Sequence, residues 1–347
     1  MLLAIGGVVC AIVLAGALFQ WAGTARDRRL FPPPGRMVRT NGCSLHVHET
    51  GQGWPTVVLE AGIAASSLSW SKVQPAVAQF ARVISYDRAG LGWSDASAYP
   101  RTCAQSVKEL DALLRATGAE PPYILVGHSF GGCVARLYAH QFPENVAGMV
   151  LVDALHPEEW RNPSRERQRI LQGGALFSML GALLARLGVV RFCVTLLTRG
   201  RTWFPRLFVR GLGSGVSSAT GRVVGEVQKL PRELWPEVAA LWCLPKCFRS
   251  MASHLRHLAE SSEQAAASVS LDPLPLVVLT KGNAHPLEVV AQEGVARLSS
   301  RGKHLLAAKS GHWIHLDQPE LVVHAIREVA EALRREQAAT AGSRWVN

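Results

Sequence analysis

The segment Gly127-His128-Ser129-Phe130-Gly131 sets one hydroxyl between two glycines, directly after the apolar run Ile124–Val126 and at the start of a helical stretch. A serine on so tight a strand-to-helix turn is held in strained backbone geometry, and glycines two positions either side let strand and helix approach closely. The hydroxyl then stands above the sheet as a nucleophile. The helix that follows supplies aligned N–H groups, beginning at Phe130, for a developing oxyanion. The chemistry implied is acyl transfer through a serine intermediate, which needs no cofactor. His128 fills the variable position of the motif and is read as packing beside the turn.

The elements that must position this serine follow from the patterning. Short apolar, β-branched runs at Thr56–Glu60, Arg82–Tyr86, Tyr123–Val126 and Ala147–Val152 alternate with helical stretches, notably Cys103–Thr117 and Phe130–Gln141. That alternation predicts βαβ units, and therefore an α/β fold with a doubly wound, mostly parallel sheet. Arg36–Thr40 and Ser44–Thr50, separated by Asn41-Gly42, predict a β-hairpin ahead of it. From His156 to about Ser270 the pattern turns helical throughout, broken by glycine-rich stretches such as Gly211–Gly215. Strand character resumes at Leu276–Thr280 and His304–Ala308, and a closing helix is expected over Pro319–Glu336.

With these parts in place the sequence resembles the α/β-hydrolase superfamily, of which it is identified as a membrane-anchored member of bacterial type. Three further segments carry the resemblance. Glu60-Ala61-Gly62-Ile63 stands where the family has its oxyanion loop, which implies the backbone N–H of Ile63, paired with that of Phe130, as oxyanion donors. Ala61 replaces the histidine often found there. Tyr86-Asp87-Arg88-Ala89-Gly90-Leu91-Gly92-Trp93-Ser94-Asp95 is similar to the family's D-R-x-G-x-G-x-S segment, whose role is structural, so Asp87 and Arg88 are expected to form a buried pair. Ser310-Gly311-His312, between the last strand and the last helix, matches the loop that delivers the general base, with His315 as the alternative.

The acid of the triad has two candidates. Chain order in the family is serine, acid, histidine. The usual loop after Leu276–Thr280 reads Lys281-Gly282-Asn283-Ala284-His285-Pro286-Leu287-Glu288 and offers only Glu288, some distance along. Some members instead carry the acid at the end of the preceding strand, where this chain has Asp153. A carboxylate after the apolar run Met149–Val152 is costly unless it is paired, and an imidazole is a suitable partner. Asp153 is the first choice and Glu288 the second, with a local helix-capping role as the plain alternative for Asp153.

Bulk properties bound the rest. A hydrophobic share of 48% and ten tryptophans exclude disorder. The seven cysteines are scattered and odd in number, which favours a reducing compartment. Cys243 and Cys247 have no matching second pair, so no metal is expected. Leu2–Gly23 carries no charge and is long enough to cross a bilayer, and Arg26, Arg28 and Arg29 after it place the following domain on the cytoplasmic side. Of the net charge of +11, the stretch from Pro157 to Leu258 supplies sixteen Lys and Arg against six Glu, or +10. Those cations are interleaved with leucine and tryptophan, including Trp160, Trp203, Phe204 and Phe208, a pattern that suits a membrane surface rather than nucleic acid.

The organisation expected is a membrane helix over 1–24, a proline-rich linker over 25–35 and a core over 36–155 and 271–338. A helical cap over 156–270 is inserted after the sixth strand. The function expected is hydrolysis of an apolar, lipid-like ester, with acyl transfer, peptidase action and non-catalytic membrane-associated binding as alternatives. Epoxide and haloalkane chemistry is set aside, because relatives of that kind use an aspartate nucleophile. The insertion also lacks the tyrosines that activate epoxides.

Overall fold

The computed structural model describes residues 1–40, 42–198, 225 and 227–343. Eight strands form one sheet in the order β1-β2-β4-β3-β5-β6-β7-β8. They are β1 (Arg36–Arg39), β2 (Ser44–Thr50), β3 (Thr56–Glu60), β4 (Arg82–Tyr86), β5 (Tyr123–His128), β6 (Val146–Val152), β7 (Leu276–Lys281) and β8 (Gly302–Ala307). The first two are the expected hairpin and pair antiparallel; from β4 onward every pairing is parallel.

The central strands are buried on both faces because each alternates apolar residues between two cores. Val57, Leu59, Ile124, Val126, Val150, Val152, Val277 and Leu279 face one layer, where Trp70, Val77 and the C-terminal helix Pro319–Ser343 cover them. Val58, Leu125, Met149, Leu151 and Val278 face the other, against the helices Cys103–Thr117 and Phe130–Gln141. The doubly wound sheet predicted by the alternation is therefore the observed one.

Register decides what the sheet positions. Glu60 stands opposite Gly127, His128 opposite Val152, and Lys281 opposite Ala307. The C-terminal ends of β3, β5, β6, β7 and β8 thus finish at one edge, where ligands bind in open α/β sheets.

Between β6 and β7 the described chain is helical, with helices at Arg165–Arg186, Val189–Thr198, Trp235–Trp242, Pro245–Arg256 and Leu258–Ala266. Arg165–Arg186 lies close against Pro245–Arg256, since a Cβ added at Gly181 would come within 2.6 Å of the Phe248 ring. The glycine-rich break Gly211–Gly215, the aromatics Trp203, Phe204 and Phe208, and the turn residue Asn41 lie outside the described residues.

Two boundaries differ from expectation. The N-terminal helix runs from Leu2 to Leu30 rather than ending near Gly23. Arg26, Arg28 and Arg29 are good helix formers, and the helix stops only where Pro32 and Pro33 forbid its continuation. The C-terminal helix likewise continues past Glu336, through alanine-rich sequence, to Ser343.

Candidate active site

Ser129 has φ 54 and ψ −120, a backbone conformation that L residues rarely adopt. It persists because its surroundings leave no slack. Ser129 N–H donates to Val152 O at 3.2 Å, and its carbonyl accepts from Gly132 and Leu155, each at 3.0 Å. A Cβ at Gly127 would sit 2.5 Å from Gly131 O, and one at Gly131 would sit 2.3 Å from Glu60 O. These are the close approaches that the two glycines permit. Ser129 is half-buried, and its Oγ donates to no described group. Such hydroxyl contacts commonly tighten only when substrate binds.

Asp153 follows β6 and is also left-handed, with φ 41. Its N–H donates to Leu279 O at 2.7 Å, which turns the side chain toward the β8 loop. There Asp153 Oδ2 meets His312 Nδ1 at 2.5 Å, while Oδ1 accepts from the Lys281 N–H at 3.2 Å. The carboxylate is 6% exposed, so two hydrogen bonds and a lysine 3.7 Å away replace the water it has lost. His312 itself is 43% exposed, so its ring is open to a ligand. Its Nδ1 is engaged by the carboxylate, which directs Nε2 to any reacting group.

The loop that carries His312 is pinned from within. Asp317 Oδ2 accepts from the Gly311 N–H at 3.0 Å and pairs with Lys229 at 3.0 Å, and Gln318 holds the Lys309 N–H at 2.9 Å. His128 Nε2 donates to His312 O at 3.0 Å, and the two rings lie 4.7 Å apart, which ties the residue before Ser129 to the histidine loop.

Glu288 is not brought to His312. It closes a capping box with His285 at the start of the helix Pro286–Ala296 and pairs with Lys281 at 2.8 Å. Lys281 thus stands between the two candidate acids. Burial lowers its pKa, but the hydrogen bond it donates to Glu288 and the charges of Asp153 and Glu288 outweigh that and raise it, so the lysine stays cationic.

His315 is fully buried against Trp70 and His128, and neither ring nitrogen has a partner. Burial, with the neighbouring His312 and Lys229, depresses its pKa to about 3. His128 is also held neutral, chiefly by burial. Neither ring is placed to cycle a proton near neutral pH.

Asp87 and Arg88 are both buried, as expected, but they are not paired with each other. Asp87 accepts from His46 at 2.9 Å and from the N–H groups of Ser67 and Trp93. Arg88 pairs with Glu60, which also accepts from Tyr86, and donates to the carbonyls of Ala61 and Gly62, the latter at 2.5 Å. Adjacent residues on an extended chain point to opposite sides, which is why the two charges part company.

The arginine is the site residue that sequence reasoning missed, and it acts on the loop beside the serine. A peptide unit carries its C=O and N–H on opposite sides, so a Gly62 carbonyl held by Arg88 turns the Ile63 N–H the other way. Gly62 abuts the nucleophile, since a Cβ there would lie 3.3 Å from Ser129 Cβ. Neither Ile63 N–H nor Phe130 N–H donates to a described group, and Phe130 opens its helix. An apolar pocket begins next to this loop, lined by Ala64, Ser66, Leu241, Trp242, Phe248 and Met251.

A family model for the alpha/beta hydrolase fold matches residues 55–177, the stretch that contains β3, the Arg88 segment, the elbow and Asp153. Over those residues the chain carries the α/β-hydrolase fold. It is 36% identical over 143 residues to YqjL, an uncharacterised protein of Bacillus subtilis. The match covers 38% of the chain and only 56% of that relative. A second relative, an AB hydrolase superfamily protein of Gibberella zeae, is 25% identical over 311 residues, or 81% of this chain and 87% of that one. Among solved structures, an esterase from Thermogutta terrifontis superposes with a TM-score of 0.57 at 20% identity, over 86% of this chain and 98% of its own length. At that identity the likeness speaks to the fold alone.

Proposed function

We propose that this α/β-hydrolase cleaves an apolar carboxylic ester through an acyl-serine intermediate. The observation that carries the reading is the 2.5 Å contact between His312 Nδ1 and the buried Asp153 carboxylate, beside a serine in a strained elbow. Ser129 Oγ attacks the ester carbonyl while His312 Nε2 takes its proton. The Ile63 and Phe130 N–H groups receive the oxyanion, and the proton returns from His312 to the leaving alcohol. Water then repeats the sequence on the acyl-serine and releases the acid. Asp153 holds the tautomer and steadies the imidazolium.

The insertion serves as a cap over this site. Its residues Leu241, Trp242, Phe248 and Met251 line a small apolar pocket that begins at Ala64, beside the loop of Ile63, and that apolar lining favours an apolar substrate. The N-terminal helix, long and apolar enough to span a membrane, anchors the domain to it, with Arg26, Arg28 and Arg29 favouring the cytoplasmic side. Acyl transfer to an alcohol would share every step up to the acyl-serine and is separated by its product.

The test is covalent labelling of the full-length protein with a fluorophosphonate probe, alongside a panel of short- and long-chain esters. Wild type is expected to label and to release free acid, fastest from the longer chains; Ser129→Ala is expected to do neither. Absence of label on wild type, or label retained on Ser129→Ala, overturns the proposal.

A further inference from the structure

We infer that the corner between the cap helices Arg165–Arg186 and Val189–Thr198 is embedded in the acyl-chain region of one bilayer leaflet, beside the N-terminal helix. The inference rests on the reading that this helix enters a bilayer, and it adds that the cap enters with it.

The first observation is where the two meet. A Cβ at Gly16 would lie 2.3 Å from Leu187 O, and one at Gly188 would lie 2.5 Å from Gly16 O, so two glycines bring backbone against backbone. Next to this contact the buried Gln20 side chain donates to Cys243 O at 2.9 Å and accepts from Arg191 at 3.0 Å. Arg191 also donates to Thr24 at 3.2 Å and pairs with Asp27 at 2.5 Å. Gln20, Thr24, Asp27 and Arg191 thus satisfy one another at the junction.

Length then fixes the depth. The uncharged stretch Leu2–Gly23 is 22 residues and rises about 33 Å at about 1.5 Å per residue, close to a hydrocarbon core of about 30 Å. The part that extends clear of the cap contact, residues 2–15, rises only about 21 Å, which is too short to span. Residues 16–23 must therefore lie in the hydrocarbon as well. Gly16 is seven residues below Gly23, so the corner that touches it sits about 10 Å inside, at the depth of an interfacial helix.

The third observation is an inverted cap helix. Along Arg165–Arg186 the buried positions are the small residues Ala175, Ser178, Gly181, Ala182 and Ala185. Its large apolar residues Leu176, Met179, Leu180 and Leu183 are exposed at 71%, 36%, 38% and 54%, on one stripe of spacing three and four. Water would favour the reverse arrangement. The two cap helices together are apolar enough to enter a membrane and bend by 85°, as a re-entrant element does. Arg186, exposed just before the corner, can lay its stem along the acyl chains and lift its guanidinium to the headgroups.

This placement bears on the substrate. Phe248 lines the pocket and packs on Gly181, so one helix separates the pocket from the lipid. An ester already dissolved in the leaflet is the substrate this arrangement favours.

The experiment uses the full-length protein in phosphatidylcholine vesicles carrying a phospholipid with a diazirine midway along its acyl chain, with adducts mapped by mass spectrometry after irradiation. Adducts are expected on 176–183 as well as on 2–23, and not on Val269, Leu287 or Val290, which are as exposed but far from the junction. The double variant Leu180→Glu, Leu183→Glu is expected to lose at least fivefold of the 176–183 adducts while keeping those on the N-terminal helix. Adducts confined to 2–23 overturn the embedding, and adducts nowhere overturn the anchor with it. Ser129→Ala is expected to give the wild-type pattern, so this test stands apart from that of the ester chemistry.

Discussion

Two clusters of ionisable groups stand side by side at the C-terminal edge of the sheet, and they are built on opposite principles. At the ends of β6, β7 and β8, Asp153, His312, Lys281 and Glu288 form an open chain in which each charge has a partner and His312 reaches the surface. At the ends of β3, β4 and β5, Glu60, Arg88 and His128, with His315 from beyond β8, are shut away from water, with one tight ion pair and two histidines held neutral. Under the proposed ester chemistry the first cluster moves protons, whereas the second holds shape. A group that must gain and lose a proton near pH 7 needs a nearby solvated path and a partner for its charged form. A group that fixes a loop needs neither.

Breaking the first cluster has the largest expected effect. Asp153→Asn keeps the size of the side chain but removes the charge that steadies imidazolium and favours the wrong tautomer, so kcat is expected to fall by about 10³ to 10⁴. The ester assay used for Ser129→Ala reads this directly, and a loss of less than tenfold would remove Asp153 from the relay. His312→Ala is expected to match it, since members of one relay are not additive.

Breaking the second cluster shows in stability before rate. Arg88→Met leaves Glu60 buried without its cation, and removing one partner of such a pair costs about 3 to 5 kcal/mol. Burial already raises the Glu60 pKa even with Arg88 present. The variant is therefore expected to unfold at lower denaturant and, with the Ala61 and Gly62 carbonyls released, to label more slowly with the fluorophosphonate. Glu60→Gln in the Arg88→Met background is expected to recover part of the stability without recovering the labelling rate. Recovery of both would mean that the arginine does not position the loop.

The first cluster was partly legible in the sequence and the second was not, for physical reasons. Gly127 is demanded by Gly131 within one turn of chain and Gly131 by the carbonyl of Glu60 on β3, but both stand at fixed offsets from the serine, so the elbow shows as a local pattern. Asp153 shows because a carboxylate after four apolar residues needs a partner, with Glu288 as the second choice, which the structure holds in a helix cap. Arg88 was expected in a buried pair, but with Asp87, and nothing near it in the chain pointed to Glu60. Its partner Glu60 lies 28 residues away, and only the parallel register that sets β3 beside β4 brings them together. The docking of the N-terminal helix on the cap was hidden for a related reason, since the stretch Leu2–Gly23 has no polar face to advertise a side for packing and only Gln20 interrupts its apolar run.

A smaller effect separates the buried histidines from the exposed one through pH. His315 has a folded pKa of about 3, below the ordinary value near 6.5, so the unfolded chain binds its proton first as pH falls. Its contribution to stability is fully present above about pH 6.5 and is lost progressively toward pH 3, at up to about 1.4 kcal/mol per pH unit. His315→Phe keeps a ring between Trp70 and His128 and removes the titration. Denaturant unfolding at pH 7 and pH 5.5 is expected to show a smaller difference in the variant, by about 1 kcal/mol. Equal differences in the two proteins would mean that His315 is not buried as a neutral ring.

The smallest effect is expected at Glu288, and it sharpens the comparison most. Glu288→Gln removes a charge from the open cluster without touching His312, leaving Lys281 to Asp153 alone. The lysine then draws on the carboxylate that His312 uses, so the variant is expected to lose no more than about threefold in kcat, because Asp153 keeps its two hydrogen bonds. Asp153→Asn and Glu288→Gln measured side by side assign the acid by their ratio, which is expected to exceed about a hundredfold. A ratio near one would mean that the two carboxylates share the load through Lys281, and the boundary between the clusters would have to be redrawn to take in all four groups.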